Sequence, residues 1–202
     1  MQQHVLTTVK SFKYLGSIIS GEGGCKEDVQ KRISTGWIKW RGLTSVLCDR
    51  RMPKKMKGKI YKTVIRPAML YGSECWPVKK DDERALEVTE MKMLRWSVGV
   101  TRKDRIRNET IRASLGVRNI AEKIQGRRLQ WYGHIMRRPE DYVGNVANKI
   151  KAPTKKKRGQ HKKWAHCVKN DLKELQLAVE DTADRCKWKK LTCMADPALL
   201  RE

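Results

Sequence analysis

The sequence predicts a mainly α fold that starts with a β strand or hairpin and has a basic linker leading to C-terminal helices. Three observations support this prediction. Apolar residues recur three or four positions apart over most of the chain, β-branched and aromatic residues concentrate near the N-terminus, and one lysine-rich stretch has no apolar period. Hydrophobic residues make up 39% of the 202 residues, which is enough for a modest core.

The β element is expected at residues 9–20, where aromatic and β-branched residues precede a flexible glycine-rich turn at residues 21–24. From Lys26 onward the apolar residues change to helical spacing. This stripe predicts a first helix that ends near Asp49.

Pro53 suits the first turn of the second helix, because proline fixes φ and a first-turn residue needs no backbone N–H partner. Pro67 is expected to break this helix. Its buried side is predicted to contain Met56, Ile60, Val64 and Ile65. Residues 70–77 are apolar and interrupted by glycine, which favours a bend or a continued buried helix.

Three further helices are expected at residues 81–96, 108–115 and 117–138. Asp81, Asp82 and Glu83 complement the dipole at the start of the first, Asn108 is the expected cap of the second, and Pro139 ends the third. The predicted organisation is a β element at 1–24, a helical region at 25–150, a basic linker at 151–163 and a C-terminal helical segment at 164–202.

The chain carries a formal net charge of +24, from 46 Lys and Arg against 22 Asp and Glu. Such a surface repels itself unless a polyanion neutralises it, so nucleic acid is the expected partner. The sequence contains no apolar run long enough for a membrane span and no apolar core of a secretory signal. We therefore expect an intracellular protein, nuclear or cytoplasmic, with no membrane partner and no small-molecule substrate.

Two windows without acidic residues, 50–73 and 142–170, contain most of the candidate phosphate contacts. A solvated face or solubilising tail is the alternative, and the second window also fits a nuclear-import signal. The predicted nucleic-acid-binding residues are Arg50, Arg51, Lys54, Lys55, Lys57, Lys59, Lys62, Arg127, Arg128, Lys155, Lys156, Lys157, Arg158, Lys162 and Lys163. Most of the tryptophans lie in apolar stripes, which favours a core position over stacking on bases.

No catalytic residues, cofactor or metal are predicted. The Asp81-Asp82-Glu83 group is better explained as helix-start chemistry than as a Mg²⁺ site, because consecutive helical residues point apart. A zinc site remains an open alternative, although the spacing of its candidate ligands matches no common finger. Those ligands are His161, His166, Cys167, Cys186 and Cys193.

Five stretches occur in the order found in the reverse transcriptase of LINE-type non-LTR retrotransposons, and the chain resembles that family over nearly its whole length. The stretches are residues 11–19, 70–76, 90–96, 102–104 with 107–109, and 128–134 with 137–139. Residues 158–164, Arg-Gly-Gln-His-Lys-Lys-Trp, resemble a further basic stretch of the family but lack its proline.

The resemblance implies that the chain corresponds to the last palm strand, the thumb and the C-terminal region. Tyr14, Leu15 and Gly16 resemble the strand that supports the primer end, and the following helices resemble a thumb-like bundle. The catalytic Asp-Asp turn of the family is expected upstream of Phe12. The resemblance thus implies a nucleic-acid-binding fragment that is not an enzyme on its own.

The expected partners are a template–primer duplex or another polyanion, and a catalytic polymerase half. Two alternatives stay open at this point. In the first alternative, the chain is an unstable product of a degraded element with no selected role. In the second, it is a small adaptor that binds zinc through its C-terminal cysteines.

Overall fold

The computed structural model describes residues 9–21, 23–150 and 163–197. Within these ranges a short hairpin precedes a series of helices, which confirms the predicted mainly α fold with an N-terminal β element. Among the residues described, none of the helices combines the length and apolar character needed to cross a bilayer. The elements are β1 (Ser11–Tyr14), β2 (Ser17–Ser20), α1 (Lys26–Gly42), α2 (Thr44–Leu47), α3 (Lys54–Ile60), α4 (Arg66–Met69), α5 (Lys80–Val98), α6 (Asn108–Leu115), α7 (Ile120–Met136), α8 (Val143–Lys149), α9 (Trp164–Glu174) and α10 (Arg185–Thr192).

The N-terminal element is a two-stranded antiparallel hairpin in which Tyr14 lies opposite Ser17. Leu15 and Gly16 connect the strands with φ angles of 46° and 85°. Two successive positive φ angles match the twist of a two-residue hairpin turn. The chain therefore reverses here, whereas the predicted flexible turn at residues 21–24 comes after β2.

Buried charged residues of α1 fix the hairpin to the helices. Arg32 donates from Nη2 to the carbonyl oxygen of Gly16 at 2.7 Å. The Asp28 carboxylate accepts from the backbone N–H of Ile18 at 3.0 Å and from the indole Nε1 of Trp76 at 2.9 Å. The orientation of β2 is thus set by hydrogen bonds to a residue of the helical core.

The second predicted helix does not end at Pro67. A π-helical turn at Tyr61–Ile65 joins α3 to α4, and Pro67 lies in the first turn of α4. Proline is tolerated there because the first turn leaves backbone N–H groups without helical partners. The first predicted helix is present as α1 and α2, with a break at Leu43.

The buried side of this helical stretch agrees with the prediction at Ile65, which is fully buried, and differs from it at two other positions. Met56 is 45% and Val64 is 40% exposed, whereas Gly58 and Tyr61 are buried. A Cβ atom at Gly58 would lie 1.8 Å from the carbonyl oxygen of Leu115. Because only glycine admits the backbone of α6 this closely, α3 turns its Gly58 face inward and its methionine outward.

Glu90, in the middle of α5, is fully buried and links three other parts of the fold. It accepts hydrogen bonds from the Tyr61 hydroxyl at 3.0 Å, from Nε of Arg112 at 3.0 Å and from the backbone N–H of Ile120 at 3.3 Å. Burial raises the pKa of Glu90, although Arg112 and the hydrogen bonds oppose that shift. The network fixes the positions of α6 and α7 relative to α5.

The ends of α6 follow the prediction, with Gly116 in the left-handed conformation after the last residue. Asn108, however, does not cap this helix with its side chain, which instead accepts from Nη2 of Arg95 at 2.9 Å. Asn119 caps α7 by accepting from the backbone N–H of Ala121 at 3.0 Å. Helix α8 was not predicted from the sequence.

The C-terminal helices pack against α7. Trp188 of α10 is buried and donates to the carbonyl oxygen of Leu129 at 2.9 Å. A Cβ atom at Gly133 would lie 2.2 Å from Nε1 of Trp188, so the absence of a side chain makes room for the indole. Trp164 of α9 reaches further and donates to the carbonyl oxygen of Glu74 at 2.7 Å.

Candidate nucleic-acid interface

A group of exposed cations lies on the loop before α3 and on the outer face of that helix. None of these side chains forms an ion pair with another residue in the described ranges. No acidic residue occurs between positions 50 and 73, so Asp49, directly before the group, is the one carboxylate beside it in sequence and leaves a net positive charge. We call this group the α3 surface; it comprises Arg50, Arg51, Lys54, Lys55 and Lys59.

The side chains of two other predicted phosphate contacts on this helical stretch are directed toward neighbouring helices instead. Lys57 is 5% exposed and donates from Nζ to the carbonyl oxygen of Ser97 at 2.6 Å. Lys62 is half-buried and donates to the carbonyl oxygen of Gly116 at 2.8 Å. Each ammonium group lies at the carbonyl end of a neighbouring helix, where a cation is favoured. Lys57 is therefore not displayed on the surface as a phosphate contact, because its charge has a buried partner.

Arg128, another predicted nucleic-acid contact, is likewise not displayed on the surface. It is 4% exposed and forms a bidentate ion pair with Asp171 of α9. Its Nε and Nη2 atoms donate to the two carboxylate oxygens at 2.6 and 3.0 Å. Burial alone lowers the pKa of Arg128, but the hydrogen bonds and charge of Asp171 raise it overall. Arg127 is half-buried, and its Nη1 donates to the carbonyl oxygen of Leu70 at 2.6 Å. Burial lowers the pKa of Arg127.

Tyr14, Leu15 and Gly16, predicted to support a primer end, form the tip of the hairpin rather than a strand interior. Tyr14 is 56% and Leu15 is 74% exposed. The carbonyl oxygen of Leu15 accepts from the Tyr71 hydroxyl at 3.3 Å. The tip is therefore held in place while its apolar side chains face outward.

The predicted basic linker lies almost entirely outside the described residues. This applies to Lys155, Lys156, Lys157, Arg158 and Lys162. Lys163 is described; it is exposed and directly precedes α9.

A cleft of about 650 Å³ between α5 and α6 brings together cations that sequence reasoning did not assign. The sequence signal was present, because Arg84, Lys92 and Arg95 recur eight and three residues apart on α5, but the helix was interpreted only through its acidic start and apolar side. The charged residues that line the cleft are Arg84, Lys92, Arg95, Arg102, Arg112, Glu87 and Glu109.

The candidate zinc ligands do not converge in the described part of the chain. Cys167 is buried, and its thiol contacts the carbonyl oxygen of Val78 at 3.9 Å, whereas Cys186 and Cys193 are exposed. Residue His161 lies outside the described residues. Within those residues no group of three or more His, Cys, Asp or Glu side chains is placed to hold a metal ion.

The chain is similar to a transposon-derived protein of Caenorhabditis elegans, with 27% identity over 139 residues. The aligned part is 67% of this chain and 50% of that protein, so the chain spans about half the length of the curated relative it matches. No protein-family model and no solved structure matches the chain. The similarity supports a transposable-element origin.

Proposed function

We propose that this chain binds nucleic acid through the α3 surface, without preference for base sequence. The observation that carries the proposal is a set of five exposed cations with no ion-pair partner among the described residues. Two of them lie on the loop before α3, and three lie on α3 itself, whose inner face is fixed against α6. Cations displayed in this way bind a phosphate backbone by releasing its condensed counterions. Contacts of this kind position a protein on nucleic acid and carry no base information.

We further propose that the chain is the thumb and C-terminal part of a retrotransposon RNA-directed DNA polymerase. Two facts support this assignment. The five sequence stretches described above occur in the order found in that family, and the similar nematode protein is transposon-derived and about twice as long as the aligned region. The hairpin that carries Tyr14, Leu15 and Gly16 also agrees with a β element at the junction to a polymerase palm.

We also propose that this chain does not transfer nucleotides by itself. The one Asp-Asp pair in its sequence, Asp81-Asp82, lies in the first turn of α5. There the Asp82 carboxylate accepts from the backbone N–H of Lys79 at 3.2 Å, which is helix-capping chemistry. Primer extension by the purified chain with Mg²⁺ or Mn²⁺ would contradict this part of the proposal.

The binding proposal is tested by replacing Lys54, Lys55 and Lys59 together with glutamine. Each phosphate contact contributes about 0.9 to the slope of log affinity against log salt concentration, so the slope for a DNA duplex should become shallower by about 2 to 3. The measurement is fluorescence anisotropy with a labelled duplex across a salt series. The matched control replaces three exposed lysines of α9 and α10, Lys173, Lys189 and Lys190, with glutamine.

The control removes the same net charge from a different surface. Its salt slope should stay within about one unit of that of the unmodified chain. An equal decrease in both triple variants would show that binding depends only on total charge. An unchanged slope in the α3 variant would move the interface away from this surface.

The exposed apolar residues of the hairpin favour a second interaction, with the catalytic half of the polymerase. Phe12 is 56%, Leu15 is 74% and Ile19 is 55% exposed, and apolar side chains grouped in this way mark protein contacts. A separately expressed catalytic half should co-elute with this chain in gel filtration. Replacing Leu15 and Ile19 with serine should weaken the complex, and an unaffected complex would place the contact elsewhere.

A further inference from the structure

We propose that the cleft between α5 and α6, together with the exposed indole of Trp96, binds single-stranded nucleic acid. This site is separate from the α3 surface and would bind single strands in addition to the duplex. The inference rests on the proposed function only in assuming that the ligand is a nucleic acid. The phosphates would lie in the cleft and a base would stack on the indole.

The electrostatic balance of the cleft favours an anion. Five cations line it against two carboxylates, and the Glu87 carboxylate already accepts from Nδ2 of Asn119 at 2.6 Å. Arg84, Lys92 and Arg102 form no ion pair with any other residue that the structure describes. These three side chains are therefore free to contact phosphate.

The remaining cations make the wall of the cleft rigid. Arg95 donates to the carbonyl oxygens of Thr101 at 3.0 Å and Ile106 at 2.8 Å, besides its bond to Asn108. Arg112 is held by its ion pair with the buried Glu90 carboxylate at 3.0 Å. A preformed wall reduces the entropy that is lost when a ligand binds.

Trp96 is the aromatic part of the proposed site. Its side chain is 62% exposed, which is unusual for a residue type that is highly buried on average. The ring makes a T-shaped contact with Trp37 at a centroid distance of 6.0 Å, and Trp37 packs against the buried Trp40 at 6.5 Å. The indole is thus supported from the core while much of its surface stays open to solvent.

The spacing along α5 places the aromatic ring next to the cations. Lys92 and Trp96 are four residues apart, so they share one face of the helix with a rise of about 6 Å. A strand whose phosphate contacts Lys92 therefore has an adjacent base within reach of the indole. A cationic groove combined with an exposed aromatic ring is the arrangement that binds single strands with little sequence preference.

A duplex does not fit this arrangement equally well. Its bases stack on one another and are paired, so a base reaches the indole only after unstacking, which costs free energy. The site should consequently discriminate between single and double strands, whereas the α3 surface contacts phosphates that both forms present.

The test measures binding of the full chain to a labelled oligothymidylate and to a labelled duplex of equal length, in the same low-salt buffer. Trp96→Ala should weaken binding of the single strand roughly 5- to 150-fold and leave duplex binding unchanged. Trp96→Phe should restore most of the affinity, because a phenyl ring also stacks. Ile38→Ala is the matched control, since Ile38 is another exposed apolar residue, 64% exposed, on the neighbouring helix α1.

The cationic part of the site is tested with Arg84→Gln and Lys92→Gln combined. This variant should make the salt slope for the single strand shallower by about 1 to 2 units. The inference is overturned if Trp96→Ala weakens both ligands equally, weakens neither, or has the same effect as Ile38→Ala. Duplex binding that still depends on Lys54, Lys55 and Lys59 would then leave the proposed function intact, whereas binding of neither ligand would overturn both.

Discussion

The α3 surface and helix α7 have similar cations and use them in opposite ways. Lys54, Lys55 and Lys59 face outward without an ion-pair partner among the described residues. On α7, Arg128 is paired with Asp171 and Lys123 with Asp196 at 3.1 Å. The difference shows how a cation comes to link two elements inside the fold. Tertiary structure must bring a carboxylate from a distant part of the chain close enough to form an ion pair with it.

The internal cations of α7 hold the C-terminal segment in place. Asp171 follows Arg128 by 43 residues and lies on α9. Arg137 donates to the carbonyl oxygen of Thr182 at 2.8 Å. Removing one partner of a buried pair leaves the other charge uncompensated, so breaking the Arg128–Asp171 pair should strongly destabilise this region.

The largest expected effect is that of Arg128→Met. Because it leaves Asp171 buried without its cation, the free energy of unfolding should fall by about 3–5 kcal/mol in urea denaturation. Lys59→Met on the α3 surface is the control and should change it by less than about 0.5 kcal/mol. Adding Asp171→Leu to Arg128→Met should recover most of the loss. A loss below about 1 kcal/mol for Arg128→Met would contradict the internal role.

An effect of intermediate size is expected for Asp196→Asn. Asp196 accepts from Nη1 and Nη2 of Arg66, at 2.8 and 2.6 Å, and from the backbone N–H of Arg118 at 2.9 Å. Losing the charge should lower the free energy of unfolding by roughly 1.5–3 kcal/mol at neutral pH.

The pH dependence of this effect follows from the pKa of Asp196. Burial alone raises that pKa, but the hydrogen bonds from Arg66 and Arg118 outweigh burial and hold it well below its usual range. A lowered folded-state pKa stabilises the protein above the unfolded value of about 3.9, and this stabilisation is lost as the pH falls further. The difference between Asp196→Asn and the unmodified chain should therefore shrink between pH 5 and pH 2, measured by urea midpoints. A constant difference would contradict the assignment.

The last comparison, between two lysines of α3, combines a stability effect of similar size with the smallest expected change in salt slope. Lys57→Gln removes the buried bond to Ser97 and should lower the free energy of unfolding by about 1.5–3 kcal/mol, without changing the salt slope of nucleic-acid binding. Lys59→Gln should leave the free energy of unfolding unchanged and make the salt slope of nucleic-acid binding shallower by about 1. The two variants carry the same charge change two residues apart. Equal effects would remove the distinction between inward and outward cations on α3.

The local patterns that sequence reasoning uses were sufficient for several elements. Gly116 ends α6 at the predicted position because glycine adopts the left-handed conformation, with φ of 60° here. The hairpin and α7 follow from residue type and apolar spacing in the same way. Helix α8 was missed because all of its residues are at least partly exposed, so it has no buried stripe to detect.

The candidate site was predictable only in part. Lys54, Lys55 and Lys59 were predicted as phosphate contacts and are exposed, but Lys57 on the same helix was not distinguished from them. Its burial depends on Gly58, which lets α3 approach α6, and on the carbonyl oxygen of Ser97, which lies 40 residues further along the chain. The exposure of Trp96 was missed for a similar reason, because its position in an apolar pattern does not reveal that its contact with Trp37 leaves it 62% exposed.

The sequence by itself determined the net charge of +24, most of the helices and the presence of an N-terminal β element, because these depend on residue type and on neighbours a few positions away. Only the tertiary structure decided which cations remain on the surface. Burying a charge is unfavourable unless a partner accepts its hydrogen bonds, and those partners, Ser97 for Lys57 and Asp171 for Arg128, come from distant positions that folding brings within 3 Å.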